Sequence, residues 1–474
     1  MDKLIERAPM VRRVGELILP ISQNDILYQK EESFYSACRI IDNAQTVIEG
    51  LLTAVISPDI VEDTGANFTP DLLGKAIYRL TSTNNTNADG TVTRVPEDGG
   101  AATISEVISP TRLRLNKRAF TGNSSKYYAI DNHAGEITDS TNGFITTDTA
   151  SKIIDANANF DASMVGKYAA VYDGNAWFRA LISTVDSTTQ LTLEIDLPTS
   201  VGNPYMIINS DDAFRFIGSA LLDYGLTKCT TLNIILKDGT YRESLHIQSK
   251  ETNGDSANII IVGDINQGAK TILSGSYSTT PTIRSFNTFA YISKQAILFI
   301  GLKFSYYNSS IVPRFSTITF YNCFFSNIAY LMDAALQCSV SIDTCRIATM
   351  SGIVVSQGTV VLFFFGAITM DTNVAINSVF NKGITIITYD NPTITGAGSI
   401  TGGTALQGVF AGHWNGAINV PHLTDGSGVW EKYFETTKTA ATATAGAATL
   451  PANPEGFMLV YINGVQKKIP YYAA

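Results

Sequence analysis

Charge is scarce in this chain: Asp, Glu, Lys and Arg make up 16% of 474 residues, while neutral polar residues are plentiful. That balance fits an extended β protein with neutral-polar solvated faces. The balance is acidic, with a net charge of −9 and a pI near 5.1, so a nucleic-acid backbone is not an expected partner. Long apolar runs are also missing. VVLFFF from Val360 is among the longest and is far too short to span a bilayer, so membrane insertion is not expected. The first residues, MDKLIERAPMVRR, carry charges throughout and show no apolar core of a secretory signal. The five cysteines (Cys38, Cys229, Cys323, Cys338 and Cys345) are odd in number and contain no CxxC pair, which argues against a disulfide framework. Buried free thiols in a chain folded in a reducing cytosol are expected.

The strongest positive signal is a repeat between Ala296 and Met370. IGLKFS from Ile300, YNCFFS from Tyr321, DTCRIA from Asp343 and FGAITM from Phe365 align, placing Leu302, Cys323, Cys345 and Ala367 in one column at steps of 21, 22 and 22 residues. Short β-rich units at such a period must stack to bury an apolar face, because one unit alone is too small. β-branched and aromatic residues without a 3.6-residue period exclude helical repeats. The stretch reads as coils of a parallel β-helix, running from about Thr231 to about Leu406. An interruption at Thr279 to Phe289 reads as a lateral loop. The preceding AFRFIGSALLDYGL is read as an amphipathic helix capping the stack's open end.

Length allows about three domains, and five segments are expected. Residues 1–60 form an arm and a helix. The helix rests on Phe34, Ala37, Ile41, Ala44, Ile48, Leu51 and Val55, which alternate steps of three and four. Phe34, Ile41, Ile48 and Val55 would share one core position of an oligomerising heptad seam; a single amphipathic helix lying on a neighbouring domain is the alternative. Residues 61–132 and 145–209 form an internal duplication. Both copies carry Asn-Phe (Asn67-Phe68, Asn159-Phe160) and Gly-Lys (Gly74-Lys75, Gly166-Lys167). They also share the segments around Ile104, Val107 and Ser109 and around Ile182, Val185 and Ser187, followed by a Thr-x-Leu-x-Leu strand. Alternating strands with Gly, Asp and Asn turns predict a small β-barrel or sandwich from each copy. An Asn-rich insertion, Thr83 to Gly100, reads as an exposed loop. Residues 211–410 carry the capping helix and the repeat. Residues 411–474 form a Gly-rich linker and a small β-domain ending in a hairpin about Asn463-Gly464.

Candidate chemistry is sparse. Glycoside hydrolysis takes two carboxylates facing one groove, which in stacked coils means acids about one period apart. Between Ala296 and Ala405 the acids are Asp333, Asp343, Asp371 and Asp390, and neither Asp343/Asp371 nor Asp371/Asp390 matches the period. A lyase needs an acidic calcium site and a base; only Lys294, Lys303, Arg314, Arg346 and Lys382 are near. The four histidines, His133, His246, His413 and His422, are scattered without a third zinc ligand. No catalytic, metal or cofactor residue is assigned, and an enzyme is not expected. Exposed aromatics can stack on sugar rings, which makes Tyr306, Tyr307 and Trp414 the candidates for surface recognition, against core packing as the alternative.

Several stretches together resemble bacteriophage virion proteins. The duplicated unit is similar to β-modules of phage tail and fibre proteins. ALLDYGLTKCTTLNIILKDGTYRESLHI with IIIVGD resembles the entrance of a pectate-lyase-like β-helix in tail spikes. Asn322-Cys323 resembles the Asn-Cys-x-Phe coil of that fold, and LPANPEGFMLVYINGVQKKIPYY resembles the C-terminal segment of many phage virion proteins. The resemblance implies a mainly β chain: a right-handed parallel β-helix preceded by two β-modules and a short N-terminal helix, and followed by a C-terminal β-domain. It further implies a tail spike, fibre or similar appendage in the virion, made in the bacterial host cytoplasm. Such an appendage would be a homotrimer that attaches by its N-terminal region to tail, collar or capsid proteins and contacts the host surface, including its polysaccharide. A polysaccharide depolymerase on the same scaffold is the alternative.

Overall fold

The computed structural model describes residues 36–81, 85–86, 92–121, 125–133, 142–173, 177–208, 213–224, 231–248, 258–265, 270–275, 288–335, 337–356, 360–371, 374–378, 384–388, 393–395, 400–402, 408–412, 456–462 and 465–471. The chain is mainly β. Its largest part is three parallel sheets that the chain visits in fixed rotation. Sheet 1 has nine strands, beginning Ser36–Ile41, Thr231–Leu236, Asn258–Val262, Ala296–Ile300, Thr317–Tyr321 and Cys338–Asp343, and ending at Gly408–Gly412. Sheets 2 and 3 have seven strands each, from Gly239–Tyr241 to Thr393–Thr395 and from Leu245–Gln248 to Ile400–Gly402. From Thr231–Leu236 onward each strand pairs with the one a full round later, so like mostly sits on like. Register is continuous along sheet 1 and shifts in sheet 3 at Met332/Ala335 and Gly352/Val354. Ile297, Ile318, Val340 and Leu362 form one column of sheet 1, and Phe299, Phe320 and Ile342 another.

These columns point into one core shared by the three sheets. Phe299 and Phe320 stack at 5.2 Å, Phe304 and Phe325 at 5.3 Å, and the two stacks meet edge to face. Such aromatic pairs add about 0.5–1.5 kcal/mol each beyond their buried area. Cys323, Cys338 and Cys345 are free and buried. The Cys345 thiol accepts the Cys323 amide at 3.4 Å within the core.

From Ala296 onward, where successive rounds pair at spacings of 317−296=21 and 339−317=22 residues, the corners share one backbone conformation. Leaving sheet 1, the chain turns through Gly301, Asn322, Thr344 and Gly366, with φ between +50° and +59°. Leaving sheet 2 it turns through Tyr306 and Asn327, and leaving sheet 3 through Lys294, Phe315 and Gln337, again with positive φ. Glycine adopts this conformation freely and asparagine at small cost, whereas other L-residues are strained there. The sheet 1 corners also bond to one another. Gly301 N donates to Tyr321 O at 3.0 Å, and Asn322 N to Asp343 O at 3.0 Å. The expected column holds for Leu302, Cys323 and Cys345, all fully buried. It shifts at its fourth member, because Thr369 rather than Ile368 donates to Cys345 O, just as Arg346 donates to Cys323 O. Ile368 therefore takes the column and exposed Ala367 is one residue extra.

The expected helix over residues 34–55 is not formed. Ile41 ends a strand of sheet 1, Ile48 begins the strand Ile48–Leu51, and Val55 lies in Ala54–Ser57; Phe34 lies outside the described residues. The three-four spacing arises because three short strands each carry apolar residues, and Ile40-Ile41, Val47-Ile48 and Val55-Ile56 are β-branched pairs that favour strands. An Asx turn, with Ala44 N on Asp42 Oδ1 at 2.9 Å, separates the first two. No heptad seam exists over the described part of this segment.

Residues 48–131 form one antiparallel sheet of seven strands, and residues 142–208 a second of six. We call these modules 1 and 2. In each, the first strand and its continuation belong to opposite ends of the strand order. The chain crosses at Leu52-Thr53, where Leu52 N bonds Lys126 O and Thr53 N bonds Glu62 O, and at Ile145-Thr146, which bond Asn203 O and Ile154 O in the same way. The Thr83 to Gly100 insertion contains a two-residue pairing, Asn85–Thr86 with Val92–Thr93. The module 2 core continues into the outward face of sheet 1 through Ile235, Ile260, Val262, Leu298 and Ile300. Arg179 ties the two with bonds to Asp238 (2.7 Å) and Thr271 (2.9 Å).

The expected helix before the parallel sheets is α1, Ile217–Tyr224. Its Ile217 and Ala220 are fully buried in the shared core beside Leu232, Ile234, Leu245 and Ile247. At the other end of the chain, Gly456–Ile462 and Val465–Tyr471 pair as the expected hairpin, closing from Ile462 to Val465. Residues 279–287 and 413–428 lie outside the described residues.

Two outcomes test this packing. Ile41→Asp places a charge at a site with no exposure and should abolish folding of the chain, while Ile48→Asp, at 39% exposure, should change thermal stability little. Gly301→Ala puts a Cβ 2.2 Å from Asp264 O at positive φ and should destabilise by more than about 2 kcal/mol, read as a lowered urea midpoint.

Candidate functional site

The two modules repeat one polar arrangement. In module 1, Asp63 Oδ1 accepts the Gly65 amide and Oδ2 accepts the Tyr128 hydroxyl, each at 2.9 Å. In module 2, Asp155 receives Asn157 N and the Tyr205 hydroxyl at the same distances. Each tyrosine leans on a phenylalanine (Phe68 at 6.1 Å, Phe160 at 5.8 Å) and covers a glycine of the first strand. At Gly50 a Cβ would meet Tyr128 Oη at 2.4 Å; at Gly143 it would meet Asp155 Oδ2 at 2.2 Å. The Gly-Lys pairs share a backbone reason, since Gly74 and Gly166 both have φ +83°. Burial, then the neighbouring carboxylate, pushes both phenols well above their ordinary range. They are neutral donors holding a turn.

In module 1 this arrangement borders a cleft of about 340 Å³ between Ile48–Leu51 and the turn from Asp63 to Thr69. Its walls are mixed: Ile48 and Leu51 are 39% and 41% exposed, while Asp63 and Tyr128 satisfy each other. It offers a partly apolar surface, with the exposed Glu49 carboxylate at its edge.

A second cluster joins module 1, α1 and the parallel sheets. Asp131, fully buried at the end of the module 1 strand Tyr127–Asp131, accepts Arg215 N (2.9 Å), Phe216 N (3.2 Å) and Ser219 Oγ (2.7 Å) on Oδ2. Its Oδ1 faces His133 Nδ1 at 3.2 Å. Glu243, between the first strands of sheets 2 and 3 and 3% exposed, accepts Ile217 N at 2.8 Å and Gly218 N at 3.0 Å. Two carboxylates from distant parts of the chain thus cap four consecutive amides at one helix start, where the helix dipole favours negative charge. Tyr78 Oη bonds Ser219 Oγ at 2.9 Å, and its ring lies 4.4 Å from that of Phe216. No local pattern announces this cluster, because its carboxylates are far apart in sequence.

The residues singled out for recognition separate. Tyr307 is fully buried in the aromatic core, with its hydroxyl on Glu243 O at 3.1 Å, so it is not a surface residue. An inward-pointing ring at this corner fills the space beside Phe289, 5.8 Å away. Tyr306 is partly exposed at a corner with φ +61°. Trp414, His413, His422 and Asp390 lie outside the described residues. Of the acids of the repeat, Asp343 is buried on the outward face of sheet 1, where burial raises its carboxyl and the Thr344 hydroxyl opposes the shift. Asp371 follows a sheet 2 strand and pairs with Arg346 at 2.9 Å. Asp343 and Asp371 therefore leave from different sheets. His246 stacks on Tyr291 at 4.8 Å. Among the described residues no group of three or more His, Cys, Asp or Glu side chains converges, and no helix is long and apolar enough to cross a membrane.

No family model matches this chain, and no curated protein matches it.

The equivalence of the two Asp-Tyr arrangements has a measurable consequence. Tyr128→Phe and Tyr205→Phe each leave a buried carboxylate oxygen short of a donor, so each should lower stability by about 1–3 kcal/mol in urea unfolding. The two losses should be similar and additive, as the sites share no partners.

Proposed function

We propose that this chain is a structural component of a bacteriophage virion, a tail spike, tail fibre or similar appendage. In this reading the three parallel sheets are the faces of a right-handed parallel β-helix and the modules are small β-barrels. Residues 411–474 supply a Gly-rich linker and a small β-domain that contains the hairpin Gly456–Ile462 with Val465–Tyr471. The observation that carries the reading is the repeated rotation of the chain, from Thr231 to Gly412, through three parallel sheets. Each round advances the stack by about 4.8 Å, so nine strands give a shaft roughly 38 Å long. Its inter-strand hydrogen bonds run along the long axis, and its apolar core is one cluster, rich in aromatic rings from Phe289 to Phe325 and mainly aliphatic on either side. Such a shaft resists bending and transmits load. The low charge content and the lack of a convergent polar groove in the described repeat fit a mechanical part.

The chain N-terminal to module 1 would attach to tail, collar or capsid proteins, and the far end would meet the host surface and its polysaccharide. Three copies would associate side by side. Gold-labelled antibody against the C-terminal hairpin, viewed by electron microscopy on particles of the parent phage, should mark an appendage; particles without label would overturn the assignment. Mass photometry of the purified chain should give three times 51.1 kDa, and a monomer at micromolar concentration would remove the trimer. Shortened chains after incubation with capsule or O-antigen would replace this reading with a polysaccharide depolymerase.

A further inference from the structure

The sheet of module 1 is open on the side of the cleft. Ile48–Leu51 is an end strand of that sheet, paired among the described residues with Tyr127–Asp131 alone. The pairing is antiparallel, with Gly50 opposite Tyr128, and Leu52 N donates to Lys126 O two residues further on. Bonded and non-bonded pairs alternate along such a ladder. Gly50 therefore bonds to Tyr127–Asp131, while the N–H and C=O groups of Glu49 and Leu51 point the other way. Thr53 N, on that same side of the chain, donates to Glu62 O, just before the turn from Asp63 to Thr69. The open main-chain groups of Glu49 and Leu51 thus face the cleft between strand and turn.

Sheet edges are commonly protected by Lys, Pro or a bulge. This edge instead keeps apolar groups in the open, with Ile48 and Leu51 both exposed. Module 2 repeats the feature at the matching position. Phe144 follows Gly143 as Leu51 follows Gly50, and it is 40% exposed on the end strand Asn142–Phe144. Ile145 N on Asn203 O sets the same alternation, so Phe144 also turns its N–H and C=O to an open edge. Neither core uses these side chains, yet both copies carry a large apolar residue there. The charge of the module 1 cleft has one sign. Glu49 and Asp63 line it, and no Lys, Arg or His is among its described lining residues. Asp63 is taken up by Gly65 N and the Tyr128 hydroxyl, whereas Glu49 is exposed.

We propose that the module 1 cleft is a docking groove for an extended polypeptide segment of another protein, which adds to the free edge of Ile48–Leu51 as a further strand. Main-chain N–H and C=O groups at strand spacing match another main chain. The segment's side chains alternate between the two faces of the sheet. Apolar ones cover Leu51 and Ile48, and a Lys or Arg meets the Glu49 carboxylate. Module 2 presents the same edge with Asn142 in place of Glu49, so it selects no cation. Under the virion reading above, the segment belongs to a neighbouring virion protein. Docking is read on the purified chain and that reading on particles, so either can fail alone.

A fluorescein-labelled peptide of alternating lysine and valine, about as long as an ordinary strand, should bind the full chain saturably by fluorescence anisotropy. It should also slow hydrogen–deuterium exchange at the Glu49 and Leu51 amides. The same peptide N-methylated throughout, which has no N–H to pair, should bind about ten-fold more weakly or worse. So should a peptide of alternating aspartate and valine, and Glu49→Lys should reverse that charge preference. Leu51→Pro removes an N–H that bonds nothing within the sheet, where an edge strand admits proline, and should weaken binding of the lysine peptide about ten-fold. Glu49→Lys, an exposed substitution, carries the test if Leu51→Pro does not fold. Absence of saturable binding up to millimolar peptide, equal binding of the N-methylated peptide, or a charge preference unmoved by Glu49→Lys would overturn the docking groove. Protection of the Glu49 and Leu51 amides that appears without peptide and grows with chain concentration would assign the edge to a second copy, and would overturn it as well.

Discussion

In-register parallel stacking is the constraint on which the rest depends. Once each strand bonds the strand a full round later, the corners that bound the strands must reverse at the same place, whereas the chain between strands can lengthen, as it does from Asn258 to Ala296 (296−258=38 residues) against Ala296 to Thr317 (317−296=21). The left-handed corner residues satisfy this demand. Gly301, Asn322, Thr344 and Gly366 occur at steps of 21, 22 and 22 because a corner displaced by one residue would turn a column of core side chains outward. Glycine and asparagine accept the corner at little cost. Thr344, β-branched, and Phe315, 51% exposed, do not, so the stack tolerates local strain to keep its register. The aromatic core follows from the same rule: Phe299 lies over Phe320 and Phe304 over Phe325 because their backbones are in register.

This constraint explains what could be read from the residues. The repeat was legible because a corner leaves a local mark, a small or amide residue followed by a buried apolar one, at a fixed period. The duplicated modules were legible for the same kind of reason. Gly74 and Gly166 need positive φ, and Asp63 and Asp155 each close a turn and hold a tyrosine. The heptad from Phe34 to Val55 misled because spacing alone does not separate one helix from three short strands. The β-branched pairs and the turn at Asp42 were the better guide, and pairing with Thr231–Leu236 decided the outcome. The Ala367 slip has a similar origin, since one additional residue at a corner does not disturb the surrounding pattern.

Exposure was harder to read. Tyr306 and Tyr307 are adjacent and chemically alike, yet a corner sends one to the surface and the other into the core. Nothing local distinguishes them, because the deciding contacts, Phe289 and Glu243 O, come from other rounds. The carboxylate joint was invisible for the same reason. Asp131 looks like the end of a strand and Glu243 like a turn residue; only the fold brings both to the amides of α1.

That joint also shows how a stiff stack can be attached to a compact module. Module 2 is fixed to sheet 1 by continuous apolar packing, with Arg179 as its polar tie, and such a contact has little reason to respond to solution conditions. Module 1 meets the stack through an apolar cluster of Ala76, Tyr78, Leu80, Ala129 and Phe216, through Val95, which is buried in the shared core, and through the capped helix start. Its hold therefore combines apolar packing with buried hydrogen bonds to two acids, a kind of contact that is strong when every partner is satisfied. The two modules share an internal architecture but differ in how they are held: module 2 lies on the outward face of sheet 1, and module 1 is joined at a helix start capped by two acids.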